Sequence, residues 1–324
     1  MTATRALPDG WSLRRPTLDD LPDLLALVHA SDVAAVGQAE FSPEEVREAL
    51  TGPNIDPARD SWIATTPDGR IGAWSYLENE SAGPRDFVEV YAHPGLGEPA
   101  QAALLDLTLA RIAERGREFG HPAMTARAGA IPNEAHYIGV LTAAGFRFVK
   151  RYARMRRSLD ASVSTPPALP PGVEIRLVRP DDDADMRLFH RIYDTAFRDT
   201  PDYQVRSYDR WRSYLTGVPT IAWDEWFMAS VDGTPAGILM SSDQALDDNE
   251  GWVKNLAVLA DYRRRGVGAA LLWRAFSVYA AKGRDKVGLG VDLENPTEAA
   301  GLYLAVGMTP AYEADIFECP VPAA

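Results

Sequence analysis

The stretch NLAVLADYRRRGVGAALL, Asn255–Leu272, runs from apolar residues into three consecutive arginines, then Gly266 and Gly268, then apolar residues at helical spacing. It reads as a buried strand, a turn and the start of a helix. Such a turn aims several unpaired backbone N–H groups at one point, where the helix dipole adds ~0.3–1 kcal/mol for each well-placed negative charge. Gly266 and Gly268 lack side chains, so a diphosphate comes close to the main chain, and Arg263, Arg264 and Arg265 neutralise phosphate charge. On its own the same stretch also serves as a solvated basic helix start whose glycines permit tight packing. It has neither the Gly-Lys-Ser/Thr of a Walker loop nor the triple glycine of a dinucleotide fold.

Outward from this turn the pattern is mixed. WFMASVDGTPAGILMSS, from Trp226, reads as a hairpin turning at Asp232 and Gly233, and GWVKNLAVL, from Gly251, as a buried strand. The residues from Gly266 to Gly283 form a helix, and KVGLGVDL, from Lys286, a further strand. A helix beginning at Pro296 and a closing strand over ADIFECP, from Ala314, complete the unit.

The order occurs twice. GWSLRRPTLDDL from Gly10 resembles GVEIRLVRPDDD from Gly172, and IPNEAHYIGVLTAAGF resembles LENPTEAAGLYLAVGM, with Asn133 and Asn295 at the same offset as the two glycines. Between the copies, Pro166, Pro167, Pro170 and Pro171 favour an extended connection. The expected organisation is a first domain over 1–160, a linker over 161–171 and a second domain over 172–324.

Composition narrows the function. A net charge of −13 repels nucleic-acid phosphates, and no apolar run approaches the ~18 residues of a membrane span. The lone Cys319 and five scattered histidines support neither a disulfide scaffold nor a metal site. A cytoplasmic chain is expected, with no nucleic-acid or membrane partner.

Arg263-x-x-Gly266-x-Gly268 behind NLAVLADY resembles the coenzyme A diphosphate loop of the GCN5-related N-acetyltransferase (GNAT) superfamily. VDLENPTEAAGLYLAVGM, Val291–Met308, resembles that family's later segment, with Asn295, Tyr303 and Gly307 in the expected order. The resemblance implies an α/β chain of two tandem GNAT-like domains, each a mixed, mostly antiparallel twisted sheet flanked by helices. It implies that Leu256, Ala257 and Val258 offer backbone groups to the pantetheine arm of acetyl-CoA, and that Arg263, Arg264, Arg265, Gly266, Val267, Gly268 and Ala269 hold its diphosphate.

Asn295 matches a position near the pantetheine and reads equally as a helix cap. Tyr303 matches the tyrosine that protonates the departing thiolate, where the bare sequence reads as a core aromatic. A glutamate used as base by some members falls at Trp252; Glu250, on the same strand face, is expected to replace it through a water or to be a strand-end carboxylate. In the first half VEVYAHPGLGEPAQAALLDL, from Val88, has lost the arginines, and Leu141 stands at the tyrosine position.

The implied function is acetyl transfer from acetyl-CoA to a primary amine of a small molecule, without a metal, by a monomer or homodimer. The tandem plan is also similar to that of mycothiol synthase, which acetylates a cysteinyl amine. Acetylation of an antibiotic amine and non-catalytic acyl-CoA sensing are the alternatives. The carboxylates of DQALDDNE, Asp243–Glu250, are candidates for attracting a cationic amine.

Overall fold

The computed structural model describes residues 5–322 apart from 53, 80, 161, 162, 164, 165, 199, 201, 202, 204 and 295–298. The first half runs β1 (Ser12–Arg14), α1 (Leu21–Val36), α2 (Pro43–Thr51), α3 (Pro57–Asp60), β2 (Ser61–Thr65), β3 (Ile71–Glu78) and β4 (Arg85–Ala92). It continues through α4 (Glu98–Phe119), β5 (Ala123–Ala130), α5 (Ala135–Ala143) and β6 (Arg147–Ser158). The second half repeats this order without a counterpart of α3: β7 (Val173–Leu177), α6 (Asp183–Phe197), α7 (Tyr208–Gly217), β8 (Phe227–Val231), β9 (Thr234–Ser242) and β10 (Glu250–Val258). Then follow α8 (Val267–Ala281), β11 (Lys286–Asp292), α9 (Ala299–Ala305) and β12 (Thr309–Pro322).

Local chemistry sets the ends of these elements. Ser42 and Glu45 form a reciprocal capping box at the start of α2, and the Asp182 carboxylate accepts from Ala184 N and Asp185 N at the start of α6. The β8–β9 hairpin turns at Asp232 and Gly233, both with positive φ, as an Asp-Gly pair in a two-residue loop allows.

The two compact units do not divide at the proline-rich linker. One contains the chain up to Arg151 together with Glu313 onward; the other contains Tyr152 to Tyr312. The boundary expected at 161–171 is thus displaced by an exchange of closing strands. In the first unit β12 pairs antiparallel with β5, from Asp315↔Ala130 to Pro322↔Ala123, and the strand order is β1-β2-β3-β4-β5-β12. In the second unit β6 pairs antiparallel with β11, from Tyr152↔Asp292 to Ser158↔Lys286, and the order is β6-β11-β10-β9-β8-β7. Among the described residues the parallel pairs are β4 with β5 and β10 with β11.

Each sheet separates two apolar layers because successive side chains point to opposite faces. In the second unit Phe227, Leu239, Val287 and Leu289 meet Leu271, Phe276 and Tyr279 of α8, while Met228, Ile238 and Met240 meet Met186, Phe189 and Trp211 of α6 and α7. The first unit is layered in the same way, with α4 and α5 on one face and α1 and α2 on the other. No helix among the described residues is long and apolar enough to cross a membrane.

Candidate active site

β10 and β11 start as neighbours and then part. Their parallel pairing covers Glu250↔Lys286, Gly251↔Val287 and Trp252↔Gly288, although the strands run on to Val258 and Asp292. From Val253 to Val258 the edge of β10 turned towards β11 therefore has no strand partner among the described residues. On its other edge β10 stays paired with β9 up to Val258↔Gly237, with one register shift between Val253 and Asn255. Lys254 is the extra residue of this bulge, and a bulge residue leaves its backbone groups out of the ladder.

The open edge leads into the arginine turn. Arg264 has φ +61° and Gly266 φ +78°, so the chain enters α8 through left-handed conformations. Gly266 is the N-cap of α8, with no side-chain cap and no acidic residue in the first turn. Its N-cap residue therefore offers no side-chain acceptor to the first N–H groups. A Cβ on Gly268 would lie 2.9 Å from Leu302 Cδ2 and within 4 Å of Val258 and Leu256 side chains, so this glycine brings α8, α9 and the end of β10 together. Arg263 donates from Nε to Val258 O at 3.1 Å, and Arg265 approaches Asp232 at 3.7 Å. All three arginines are exposed.

Tyr303, on α9, is buried in the α8 layer together with Leu256, Val258 and Leu302. Burial pushes its phenol up to about 12, and its hydroxyl makes no hydrogen bond among the described residues. Asn295 lies outside the described residues, as does Pro296.

Glu250 does not have the surroundings expected of a base. It is 0% exposed, and its oxygens accept from Arg154 at 3.0 Å and from Arg156 at 3.1 and 3.3 Å. Glu250 is held in an internal ion pair with two arginines of β6. Gly288 leaves room for this carboxylate, since a Cβ there would lie 2.0 Å from Glu250 Oε1. Arg154 also stacks over the Trp252 ring at 4.4 Å. Both arginines come from β6, a strand of the first repeat. The alternation in RYARMRRS, with Ala153 and Met155 inward and Arg154 and Arg156 opposite, was the sequence signal for a cationic strand face awaiting a carboxylate.

The acidic loop Asp243–Glu250 stands at the far end of β10 from the arginine turn, roughly 25–30 Å away along a strand of this length. Asp243 accepts from Arg284 at 2.8 Å, and Arg284 also pairs with the fully buried Glu225 at 2.8 Å. Two of the loop's carboxylates therefore hold arginines and are not available to attract an amine.

The first unit keeps the parting of parallel strands. β4 and β5 pair over Arg85↔Thr125, Asp86↔Ala126 and Phe87↔Arg127. Its turn is different. The N-cap of α4 is Gly97, Glu98 lies in the first helical turn, and no arginine precedes the helix, so the charge there opposes a diphosphate.

These features coincide with a known family. Residues 187–308 match the model of the Acetyltransferase (GNAT) family. A GCN5-related N-acetyltransferase from Sphaerobacter thermophilus shares the fold with a TM-score of 0.83 at 24% identity, over 98% of each chain. A tandem GNAT protein from the clavulanic acid biosynthesis pathway aligns with a TM-score of 0.71 at 17% identity, covering 97% of this chain and 99% of that one. Saccharomyces cerevisiae N-myristoyltransferase, solved with bound myristoyl-CoA, aligns with a TM-score of 0.61 at 11% identity, over 98% of this chain and 82% of that one. No curated protein matches the chain.

The second unit belongs to the GNAT acetyltransferases, and the whole chain has the tandem GNAT fold. The matched domain is that of an acetyltransferase family, which draws the acyl group from acyl-CoA.

Proposed function

We propose that the second unit moves an acetyl group from acetyl-CoA to the primary amine of a small molecule by direct attack of the amine on the thioester. The observation that carries this reading is the meeting of three features at one end of β10: a strand edge unpaired among the described residues, a helix N-terminus with no side-chain cap behind three arginines, and a buried tyrosine whose hydroxyl has no partner among the described residues. Leu256, Ala257 and Val258 present backbone groups to the amide-bearing pantetheine arm. Arg263 to Ala269 receive the diphosphate, with backbone N–H groups inside and guanidinium groups outside. Asn295 enters the proposal as a further contact to that arm.

The chemistry asks for orientation and for stabilisation of negative charge. Holding a neutral amine against a thioester supplies most of the rate, and backbone amides around the Lys254 bulge are the donors nearest the open edge for the oxyanion. Tyr303 assists the departing sulfur. A phenol at about 12 facing a thiol of ordinary pKa near ~8.5 makes complete proton transfer uphill by ~5 kcal/mol, so Tyr303 serves as a hydrogen-bond donor to the developing thiolate. Glu250 fixes Arg154 and Arg156 behind Trp252 and positions that wall of the site.

The test is release of CoA thiol from acetyl-CoA with a panel of amines, alongside calorimetric acetyl-CoA stoichiometry. Release with an amine and one bound donor per chain is expected. Absence of acetyl-CoA binding would overturn the assignment of the arginine turn.

A further inference from the structure

The second sheet has an open floor where β10 and β11 part. Along β11, Val287, Leu289 and Val291 point into the α8 layer, so Gly288 and Gly290 face the opposite side, the one that β8, β9 and β10 present to α6 and α7. At Gly288 the space is taken, since a Cβ there would meet the Glu250 carboxylate and the Trp252 ring. Gly290 is exposed, and a Cβ there would meet nothing within 4 Å. The pairing of β10 with β11 ends at Trp252↔Gly288, so this uncovered glycine lies just where the strand edge opens.

The surroundings of Gly290 are cationic. Arg154 of β6 is its register partner, Arg156 is that of Gly288, and the two arginines share the one carboxylate of Glu250. On β10 the register passes from Val253↔Ser241 to Asn255↔Met240, with Lys254 bulged between them. Met240 faces α6 and α7, and its partner Asn255 faces the same way. The Lys254 ammonium lies 5.8 Å from the centre of the Tyr214 ring on α7, so it rises on that side too, and Arg206 stands against the same ring at 5.3 Å. Of the nearby carboxylates, Asp292 at the end of β11 accepts from Glu294 N, and Asp194 of α6 is held by Arg198 and Tyr203. On the strands, Arg154, Arg156 and Lys254 outnumber Glu250 and Asp292, which leaves this face a net positive charge.

Lys254 and Asn255 are half-buried, and among the described residues neither side chain makes a hydrogen bond, nor the ammonium an ion pair. A lysine of this kind on an outer helix face would need no explanation. Here a bulge sets it at the lip of the opening, partly out of water, next to an amide that also lacks a partner. Both groups are donors, and the group that satisfies an ammonium and an amide N–H together is an anion.

We propose that the amine acetylated by the second unit also carries a carboxylate, as an amino acid does, and that Lys254 and Asn255 hold this carboxylate beside Gly290, with Arg154 and Arg206 adding positive potential. The inference rests on the proposed transfer to a small amine and names the class of that amine. In the transfer the amine nitrogen bonds to the acetyl carbon, the thioester C–S bond breaks, and the proton lost by the amine is balanced by the one the CoA sulfur gains. The carboxylate takes no part and serves only to hold the acceptor.

CoA release by the full chain at saturating acetyl-CoA tests this with pairs that differ in the carboxylate alone: phenylalanine and phenethylamine, leucine and 3-methylbutylamine, β-alanine and ethylamine. The acid should have the higher kcat/KM, by about tenfold or more through KM, in at least one pair, and Lys254→Met should abolish most of that ratio. The ratio is taken within each protein, so a loss of folded fraction does not move it. If Lys254→Met fails to fold, Asn255→Leu carries the comparison, with a several-fold fall expected. Calorimetric titration of the CoA-saturated chain with the N-acetyl amino acids and their carboxamides makes the same comparison without turnover. A preference for the plain amine in every pair, a ratio unchanged in Lys254→Met, or neither turnover nor binding of any anionic member overturns the proposal. In the first two cases acetyl transfer to an amine still stands, whereas absence of acetyl-CoA binding removes the reading on which this inference rests.

Discussion

Replacing Tyr303 by phenylalanine separates catalysis from packing, because the hydroxyl makes no hydrogen bond that folding depends on. Removing a buried, unpartnered hydroxyl relieves a desolvation cost of about 1–3 kcal/mol, so the variant should melt at the same temperature as the parent or higher. Turnover should respond the other way. A hydrogen bond from a neutral donor to a developing thiolate contributes about 1.5–3 kcal/mol, which corresponds to a fall in kcat of roughly 10- to 150-fold. The KM for acetyl-CoA should stay unchanged, since the bond forms only as the sulfur departs. Burial also fixes a pH signature. With the phenol up at about 12 in the fold and near ~10 unfolded, the protonated form is favoured by folding; the associated stability is complete below pH ~10 and is lost as pH rises towards 12. Any alkaline fall in kcat below pH ~10 therefore belongs to another group. The assay is initial-rate CoA release at saturating acetyl-CoA, with thermal melts of both proteins. An unchanged kcat would remove Tyr303 from the reaction, and a loss of kcat accompanied by a lower melting temperature and weaker coenzyme binding would make its role structural.

Further outcomes follow from the same geometry. Arg264→Glu should weaken CoA binding by calorimetry about 10-fold or more while leaving the melting temperature within a few degrees, since the side chain is exposed. Gly266→Ala puts a Cβ on a φ of +78° and within 2.8 Å of Pro170 Cγ, and should cost about 1–2 kcal/mol or more in denaturant unfolding. Arg284→Met leaves the buried Glu225 carboxylate with Lys282 as its remaining counter-ion and should destabilise by roughly 3–5 kcal/mol in urea titration. Glu250→Gln should lower stability by about 1.5–3 kcal/mol through Arg154 and Arg156, yet leave the shape of the pH–kcat profile as in the parent; loss of its acid limb would restore Glu250 as a proton acceptor.

Much of the fold is legible because its punctuation is local. Asp232-Gly233 turns the hairpin, Gly266 opens α8, Gly283 with φ +86° follows its end, and each reads from one or two residues whose backbone needs are specific. The constant offset between the halves is also visible in the sequence. What the repeat conceals is which sheet each closing strand joins. β6 and β12 have the same place in their repeats and similar alternation, so nothing local distinguishes an own-unit partner from an exchanged one. The same concealment hid the partners of Glu250, whose arginines lie almost a hundred positions earlier on β6. The Lys254 bulge has no marker residue. The arginine turn reads from the sequence, in contrast, because its conformation depends on neighbours close along the chain.

The exchange of closing strands has a consequence for synthesis. During translation β5 is made long before β12, so the first unit presents an open strand edge until β12 has left the ribosome. β6 emerges in the meantime with nothing to pair with until β11 follows. A chain cut short before Glu313 lacks the strand that pairs with β5 and leaves the first sheet with an open edge there.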